Sequence, residues 1–514
     1  MLRLCFLLSL VSICASPAIG TERDETLAIA AKQIDGFINE QLQNEGITAA
    51  DVSTDAEFCR RVWLDLAGVA PPVAELREFL SDDRETKRDA LIDRLLSSSL
   101  HAGHMATRWN AILLPPDAQS QPEQRQNVAA LHRWLRDQFR ENVPYDYLVA
   151  GFLTAGGSSD AGPAVFYTAR ELEPEKLAAA TSQIFLGLQL QCAQCHDHPT
   201  DRWTQKDFWQ YAAFFSQLQQ SNAAMGRQTI EDEPGGQVTL PETETVMMPR
   251  YPGVSEPPEP DPGDIRRRQL TIWMASRDNP YLSRAAVNRI WYQMFGRGLV
   301  DPVDRMDADN LPSHPELLNF LADLLIENRF DLRTIYAAIA RTDAYQRSSE
   351  YDGKRPDADR FAVMTVKSLS AEQFFDSLQQ NVYRRGVSTM DQPNRATQAM
   401  RQVFLDRMRA SDMNPSDYPH GVVQALGMMH GPEIVSATDA NRLGLLAALE
   451  APFLTNTERI ETLFLATLSR PPSSDESERF ANFLSENGSE SNELSPMIDL
   501  LWVLLNTAEC ALCP

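Results

Sequence analysis

Pro315-Glu316-Leu317-Leu318-Asn319-Phe320-Leu321-Ala322-Asp323-Leu324-Leu325-Ile326 sets Leu317, Leu318, Leu321, Leu324 and Leu325 on one face at about 3.6 residues per turn, the period of an amphipathic helix. Just before it, Ser313-His314-Pro315-Glu316 reads as a helix start, with Ser313 as the cap and Pro315 and Glu316 in the first turn. His314 then needs no catalytic role. The same period recurs from Lys87 to Leu96, where Leu91, Ile92, Leu95 and Leu96 share a face. Alternating apolar and polar residues, the mark of a half-buried strand, are almost absent. The expected fold is mostly α.

One span breaks the helical pattern. Glu231 to Gly263 is rich in Pro, Glu and Gly, includes Glu256-Pro257-Pro258-Glu259-Pro260-Asp261-Pro262, and offers little to bury. It reads as a linker or long loop over 231–263 between a helical domain at 21–230 and a second helical domain at 264–514, where the periodicity resumes with Asp264-Ile265-Arg266-Arg267. A chain of 514 residues has room for two cores of ordinary domain size.

The first residues, Met1-Leu2-Arg3 followed by Leu4-Cys5-Phe6-Leu7-Leu8-Ser9-Leu10-Val11-Ser12-Ile13-Cys14-Ala15, join a basic start to a short apolar run. This is the pattern of a signal peptide, with cleavage after Gly20 favoured by the small residues at Ala18 and Gly20. Lipoprotein processing at Cys14 fits less well because Ile13 is bulky. No later run is apolar for long enough to cross a bilayer, so the mature chain is expected outside the cytoplasm, in a periplasmic or extracellular setting that is oxidising. The formal charge of the full sequence, −24, is scattered and acidic, which excludes the basic footprint that nucleic acid demands. It suits a solvated surface. Of the seven cysteines, Cys59, Cys192, Cys195, Cys510 and Cys513 remain after signal removal, an odd number that excludes complete internal pairing.

The strongest chemical signal is Leu190-Gln191-Cys192-Ala193-Gln194-Cys195-His196-Asp197-His198-Pro199-Thr200-Asp201-Arg202-Trp203. In Cys-x-x-Cys-His, two thiols one helical turn apart can add to the two vinyl groups of one haem while the adjacent imidazole ligates iron. Cys192, Cys195 and His196 are therefore the candidate haem c residues, with His196 as axial ligand, and export agrees with where such attachment takes place. Two other chemistries use the same side chains. Cys192, Cys195, His196 and His198 are all zinc ligand types, although so tight a spacing strains a tetrahedron, and Cys192 and Cys195 could form a disulfide. The stretch from Glu175 to Leu190 reads as a helix, and Thr204-Gln205-Lys206-Asp207 resembles a capping box opening another, which carries Phe208, Trp209, Phe214 and Phe215. The motif is thus expected between two helices. Its aromatic neighbours, Trp203 included, suit either a haem wall or plain core. The sixth iron position is open, Gly427-Met428-Met429-His430-Gly431 being the densest cluster of candidate ligands.

With these residues in view, the chain resembles the secreted cytochrome-like proteins of planctomycetes that join domains of unknown function 1549 (PSCyt-type) and 1553 (PSD-type). The first is matched by Phe58-Cys59-Arg60-Arg61-Val62-Trp63-Leu64-Asp65-Leu66-Ala67-Gly68, by Asn142-Val143-Pro144-Tyr145-Asp146, and by Gln191 to Pro199 with Trp203 to Trp209. The second is matched by Asn279 to Trp291, Phe295-Gly296-Arg297-Gly298-Leu299-Val300, Pro312 to Leu318, Ala344-Tyr345-Gln346-Arg347-Ser348, Leu369 to Gln373 and Gln424-Ala425-Leu426. The resemblance covers nearly the whole mature chain. It implies export and a cytochrome-like character, and brings no settled reaction. The pattern usually closes on Asn-Ser and Glu-Phe without cysteine, whereas here Asn506-Thr507-Ala508-Glu509 runs into Cys510-Ala511-Leu512-Cys513-Pro514. Without a following His this second Cys-x-x-Cys is no haem motif, and a disulfide is the favoured expectation.

Polar groups in the second domain, Asn288, Arg289, Arg297, Asp301, Asp304 and His314, lie among apolar positions. The arginines are expected to fix helix ends and loops through carboxylates and carbonyls. Asp301, Asp304, Asp307 and Asp309 do not follow a calcium-loop spacing, and Pro302 interrupts them. The sequence therefore favours an exported mono-haem c-type protein of electron transfer or redox chemistry, with an unnamed redox or envelope partner. The alternatives are a haem-free envelope binding or scaffold protein with structural cysteines, and a metal-dependent hydrolase built on the Cys/His cluster.

Overall fold

The computed structural model describes residues 18–115, 125–158, 160, 162–222, 228–256, 265–276, 279–383, 395–408, 431–437, 444–487 and 494–514. Helices dominate them, as the periodicity requires. Met1 to Pro17 and the Met428-Met429-His430 cluster lie outside the described residues. Ala18–Glu45 is a helix, so the expected cleavage after Gly20 falls at its first turn.

The molecule is built around the helix Asp55–Ala67, in which every residue from Phe58 to Ala67 is buried. Thr54 caps its start by accepting the Glu57 amide at 3.2 Å, and Gly68 closes it in the left-handed region at φ 74°. Only glycine suits that position, because a Cβ there would stand 2.3 Å from His104 Nδ1. Around this rod pack the helices Val73–Ser81, Lys87–Leu96 and Ser99–Leu113. The first helix buries Leu27, Ala30, Ile34, Ile38 and Leu42, spaced by three or four, against Pro315–Glu327 and Leu332–Ala340. Phe37 and Phe320 meet there at 5.7 Å between ring centroids. Asp35 on the same helix accepts the amides of Asp343 (2.8 Å) and Ala344 (3.0 Å).

The span read as a linker is held to the body of the protein through its described residues, 231–256. Glu231 and Asp232 end the strand Gln228–Asp232, which lies antiparallel between Gly157–Ser158 and Leu218–Asn222. Val238–Thr239 pairs with Val246–Met247, and Val238 and Met247 are buried with Ala213. Pro257 to Pro262 lie outside the described residues.

The hydrophobic packing runs on across residue 263 and changes near residue 366. One core runs from Leu27 to Met364, with Leu465; a second gathers Leu369 to Cys513, with Leu64 of the central helix. The reason is that amphipathic helices on either side of 263 close on each other. Arg267, just past the Pro-rich span, is 1 % exposed, donates to the carbonyls of Leu153 and Ala155 at 2.8 Å each, and pairs with Asp232. Among the described residues no helix is long and apolar enough to cross a membrane.

Candidate functional site

The helix Pro174–Thr181 continues as a π turn, Ser182–Leu186, and stops at Gly187, φ 68°. The helix expected to reach Leu190 thus ends early, and the chain turns. Leu190–Ala193 then forms a 3-10 turn with Gln194 in the right-handed region, so Cys192 and Cys195 stand about one helical turn apart. Ala193 is completely buried and anchors the turn, whereas Cys192, Cys195 and His196 are exposed.

The following helix, Gln205–Ala212, holds this loop from below. Thr204 and Asp207 form the expected capping box, and Asp197 accepts the Gln205 amide at 2.8 Å, a carboxylate placed at a helix N-terminus. Gln205 Nε2 donates to Cys195 O (2.9 Å) and Gln194 O (3.3 Å), and Trp209 Nε1 donates to Gln194 O at 3.0 Å. His198 N donates to Trp203 O at 2.8 Å. The loop backbone is pinned, and the sulfurs face outward. Trp203, Phe208, Phe214 and Phe215 are buried; Phe214 stacks on Tyr251 at 5.2 Å. These four are core, and Trp209 is the one of the aromatic set that reaches the motif.

The two histidines differ in proton placement, which their partners fix. His196 Nδ1 lies 2.7 Å from the Asp197 carbonyl; a carbonyl only accepts, so Nδ1 carries the proton and the neutral ring keeps its lone pair on Nε2. His198 Nδ1 receives the amides of Asp201 (2.9 Å) and Thr200 (3.2 Å). Amides only donate, so here Nδ1 is bare and Nε2 carries the proton. His196 has the tautomer of a metal-ligating histidine with an oriented outer partner. His198 is a clamp on the Thr200–Asp201 turn.

The four-ligand zinc arrangement is not assembled: among the described residues no three His, Cys, Asp or Glu side chains gather as a metal-binding group. The disulfide expectations are corrected as well. Cys192 and Cys195 are free, and so are Cys510 and Cys513, whose thiols burial pushes up to about 11. Cys510 and Cys513 sit inside the second core because residues 509–514 are drawn onto the central helix: Arg60 donates to Cys510 O (3.0 Å) and Leu512 O (3.0 Å), and Leu512–Cys513 pairs with Lys367–Ser368.

Comparison with protein families places these elements. The model of PSCyt2, a protein of unknown function (DUF1549), matches residues 33–220, and that of PSD1, a protein of unknown function (DUF1553), matches residues 266–380. The chain carries both of these domains. No curated protein and no solved structure matches it.

The PSCyt2 and PSD1 domains meet at a buried polar cluster that the sequence did not reveal. Lys367 is 4 % exposed and Asp65 5 % exposed. The Lys367 ammonium donates to both Asp65 carboxylate oxygens, at 2.6 and 2.7 Å, and to Met294 O at 2.8 Å and Gln293 O at 3.2 Å, where the helix Leu282–Phe295 ends and its carbonyls lack partners. Tyr345 donates to Asp65 at 2.8 Å, and Tyr336 donates to Gln293 Oε1 at 2.7 Å. The only sequence signal was a charge at Asp65 between Leu64 and Leu66; its partner lies some 300 residues along the chain.

The polar strings of the PSD1 domain are staples. Asn288 accepts Val300 N and donates to Val300 O, both at 2.9 Å. Arg289 pairs with Asp304, Arg297 with Asp301 at 3.5 Å, and Arg305 with Asp307 at 2.6 Å. Three of the four aspartates weighed as cation ligands, Asp301, Asp304 and Asp307, are paired with arginines. The cap of Pro315–Glu327 is His314 and not Ser313, and makes no side-chain cap bond; burial lowers the His314 pKa to about 4.

Proposed function

We propose that the chain is an exported mono-haem c-type redox protein, with Cys192 and Cys195 as the thioether attachment points and His196 as the axial ligand. The observation that carries this reading is the proton placement at His196, whose Nδ1 is bonded to the Asp197 carbonyl so that Nε2 is available. Two exposed thiols about one helical turn apart, the second immediately before His196, suit addition to the two vinyl groups of a haem. A haem so bound supplies one-electron transfer between its ferric and ferrous states. The chain's own part is to fix the attachment turn through Ala193, Gln205 and Trp209, to hold the His196 ring through the Asp197 carbonyl, and to present the sulfurs outward. Export is in keeping with the basic and apolar start of the sequence.

The test is to produce the chain with its leader in a bacterium equipped for cytochrome c maturation, purify the folded protein, denature it and record the pyridine haemochrome spectrum. One covalent haem per chain is expected. Cys192→Ala and Cys195→Ala should each shift the haemochrome band by leaving one vinyl group unreacted. His196→Ala should alter the native Soret spectrum while His198→Ala leaves it in place. A folded protein without covalent haem, or loss of the spectrum in His198→Ala equal to that in His196→Ala, overturns the reading.

A further inference from the structure

The turn that carries the cysteines is flanked on both sides by the PSD1 domain. Before it, Arg289 donates to Ile184 O at 3.3 Å, and the amide of Met306 donates to Gly187 O at 2.9 Å. After it, Arg202 donates to the Tyr281 hydroxyl at 2.9 Å. The two thiols thus stand at the joint of the two domains.

Met306 rides on a loop that is stapled along its length. Asn288 donates to Val300 O at 2.9 Å and to Val303 O at 3.2 Å, Arg289 holds Asp304, Arg305 holds Asp307 at 2.6 Å, and Asn310 closes the loop on Arg305 O at 2.7 Å. The backbone on either side of Met306 is therefore fixed. Its side chain is half-buried and lies over Gly187, where a Cβ would stand 3.1 Å from Met306 Sδ and 3.2 Å from its Cγ. The missing side chain at Gly187 is what admits the thioether to the turn. Cys192 is near as well: after Asp307 and Asp309, its charge is among the causes that hold Arg305 above its ordinary pKa.

An iron held by His196 has a sixth position, and the described donors for it are few. His198 stands two residues from His196 and its Nε2 carries the proton. Met274, Met294 and Met364 are buried in the first core, and His101 and His314 are buried too. Met248, 56 % exposed, follows the strand Val246–Met247, which packs on Gln205–Ala212. A thioether is a soft, neutral ligand suited to haem iron, and a methionine side chain can swing its sulfur without moving a fixed backbone. We propose that Met306 of the PSD1 domain is the sixth ligand of a haem iron held by His196, so that the iron site is shared between the two domains. This rests on the haem reading above and assigns the position that reading left open.

The experiment produces the full chain with its leader in a bacterium equipped for cytochrome c maturation and follows the purified protein by absorption, redox titration and carbon monoxide binding. The wild-type protein should show the weak red charge-transfer band of a thioether on ferric haem, and its ferrous form should take up carbon monoxide slowly. Met306→Leu should lose the band, shift the reduction potential downward and take up carbon monoxide at once. Met306→Gln, of the same length without the sulfur, should do the same, and Met248→Leu should change none of the three. Leucine nearly conserves the volume of methionine, so the haem-free Met306→Leu chain should keep its melting temperature. A folded wild-type protein without covalent haem sinks the haem reading and this proposal with it. Covalent haem that binds carbon monoxide as fast in the wild type as in Met306→Leu, or a band that survives in Met306→Leu, overturns ligation by Met306 alone.

Discussion

The central helix Asp55–Ala67 and the loop from Cys192 to Trp203 both thread charged or reactive side chains through the PSCyt2 domain, and the structure treats them in opposite ways. In the helix the charged groups are engaged within the fold. Arg60 meets Ser469 Oγ (3.1 Å) and the carbonyls of Thr467, Glu509, Cys510 and Leu512, and Arg61 meets the carbonyls of Tyr345 (2.5 Å), Arg347 (2.9 Å) and Pro514 (2.6 Å) as well as Glu57 (2.7 Å). In the loop the backbone is pinned at Gln194, Cys195 and His198, and the side chains of Cys192, Cys195 and His196 stand at the surface. A buried donor without a partner costs stability, so groups whose every bond is made inside describe the fold. Groups held in place with atoms to spare describe what the fold is for.

The largest effect expected from this contrast is at Asp65. Asp65→Ala leaves the Lys367 ammonium buried without its counter-ion and should cost about 3–5 kcal/mol of unfolding free energy, read from urea denaturation. Adding Lys367→Met should return much of the loss, because an apolar pair avoids the desolvation of both ions. Cys192→Ala, by contrast, should move stability by less than about 0.5 kcal/mol. Equal losses at Asp65 and Cys192 would erase the distinction between the two regions.

A second measurement uses pH. Burial lowers the pKa of His101 and His132 to about 4, and that of His314 similarly, so the folded state holds them neutral while the unfolded chain protonates near 6.5. Between these limits the unfolded state binds more protons. Stability is therefore full above about pH 6.5 and falls as pH drops from there toward 4. A fully buried histidine contributes about 1.4 kcal/mol per pH unit in that window. Asp35, raised chiefly by burial, works in the opposite sense just above its ordinary range. The urea midpoint should fall steadily from pH 6.5 to 4.5, and His101→Gln should flatten the slope by one histidine's share. A flat profile would mean that these rings are protonated in the native state.

What was legible in the sequence follows from range. Lys87–Leu96 and Pro315–Glu327 appear where the leucine period put them, because an amphipathic helix is written within its own dozen residues. The Thr204–Asp207 capping box likewise needs only four. The Cys192 to His196 turn between two helices was legible for the same reason. The contacts that hold the two halves together were not: they depend on Arg267 finding Leu153 and Ala155, and on Lys367 finding Asp65. The second Cys-x-x-Cys misled for a related reason, since nothing local tells that Arg60 draws Cys510 into a core.

The smallest effect separates the two histidines of the loop. His198 accepts two backbone amides, and His198→Ala should cost about 1 kcal/mol, since both amides lie near enough to solvent to recover water. His198→Asn should keep most of that stability, because an asparagine side-chain oxygen accepts amides two residues on in the same kind of turn. His196→Ala should cost less than His198→Ala, its ring being exposed and its one bond made to a neighbouring carbonyl. The order of the three variants in thermal melts of the haem-free chain thus reads proton placement directly. If His196→Ala is the more damaging and His198→Asn no better than alanine, His196 is a structural group and the loop loses the feature that sets it apart from the central helix.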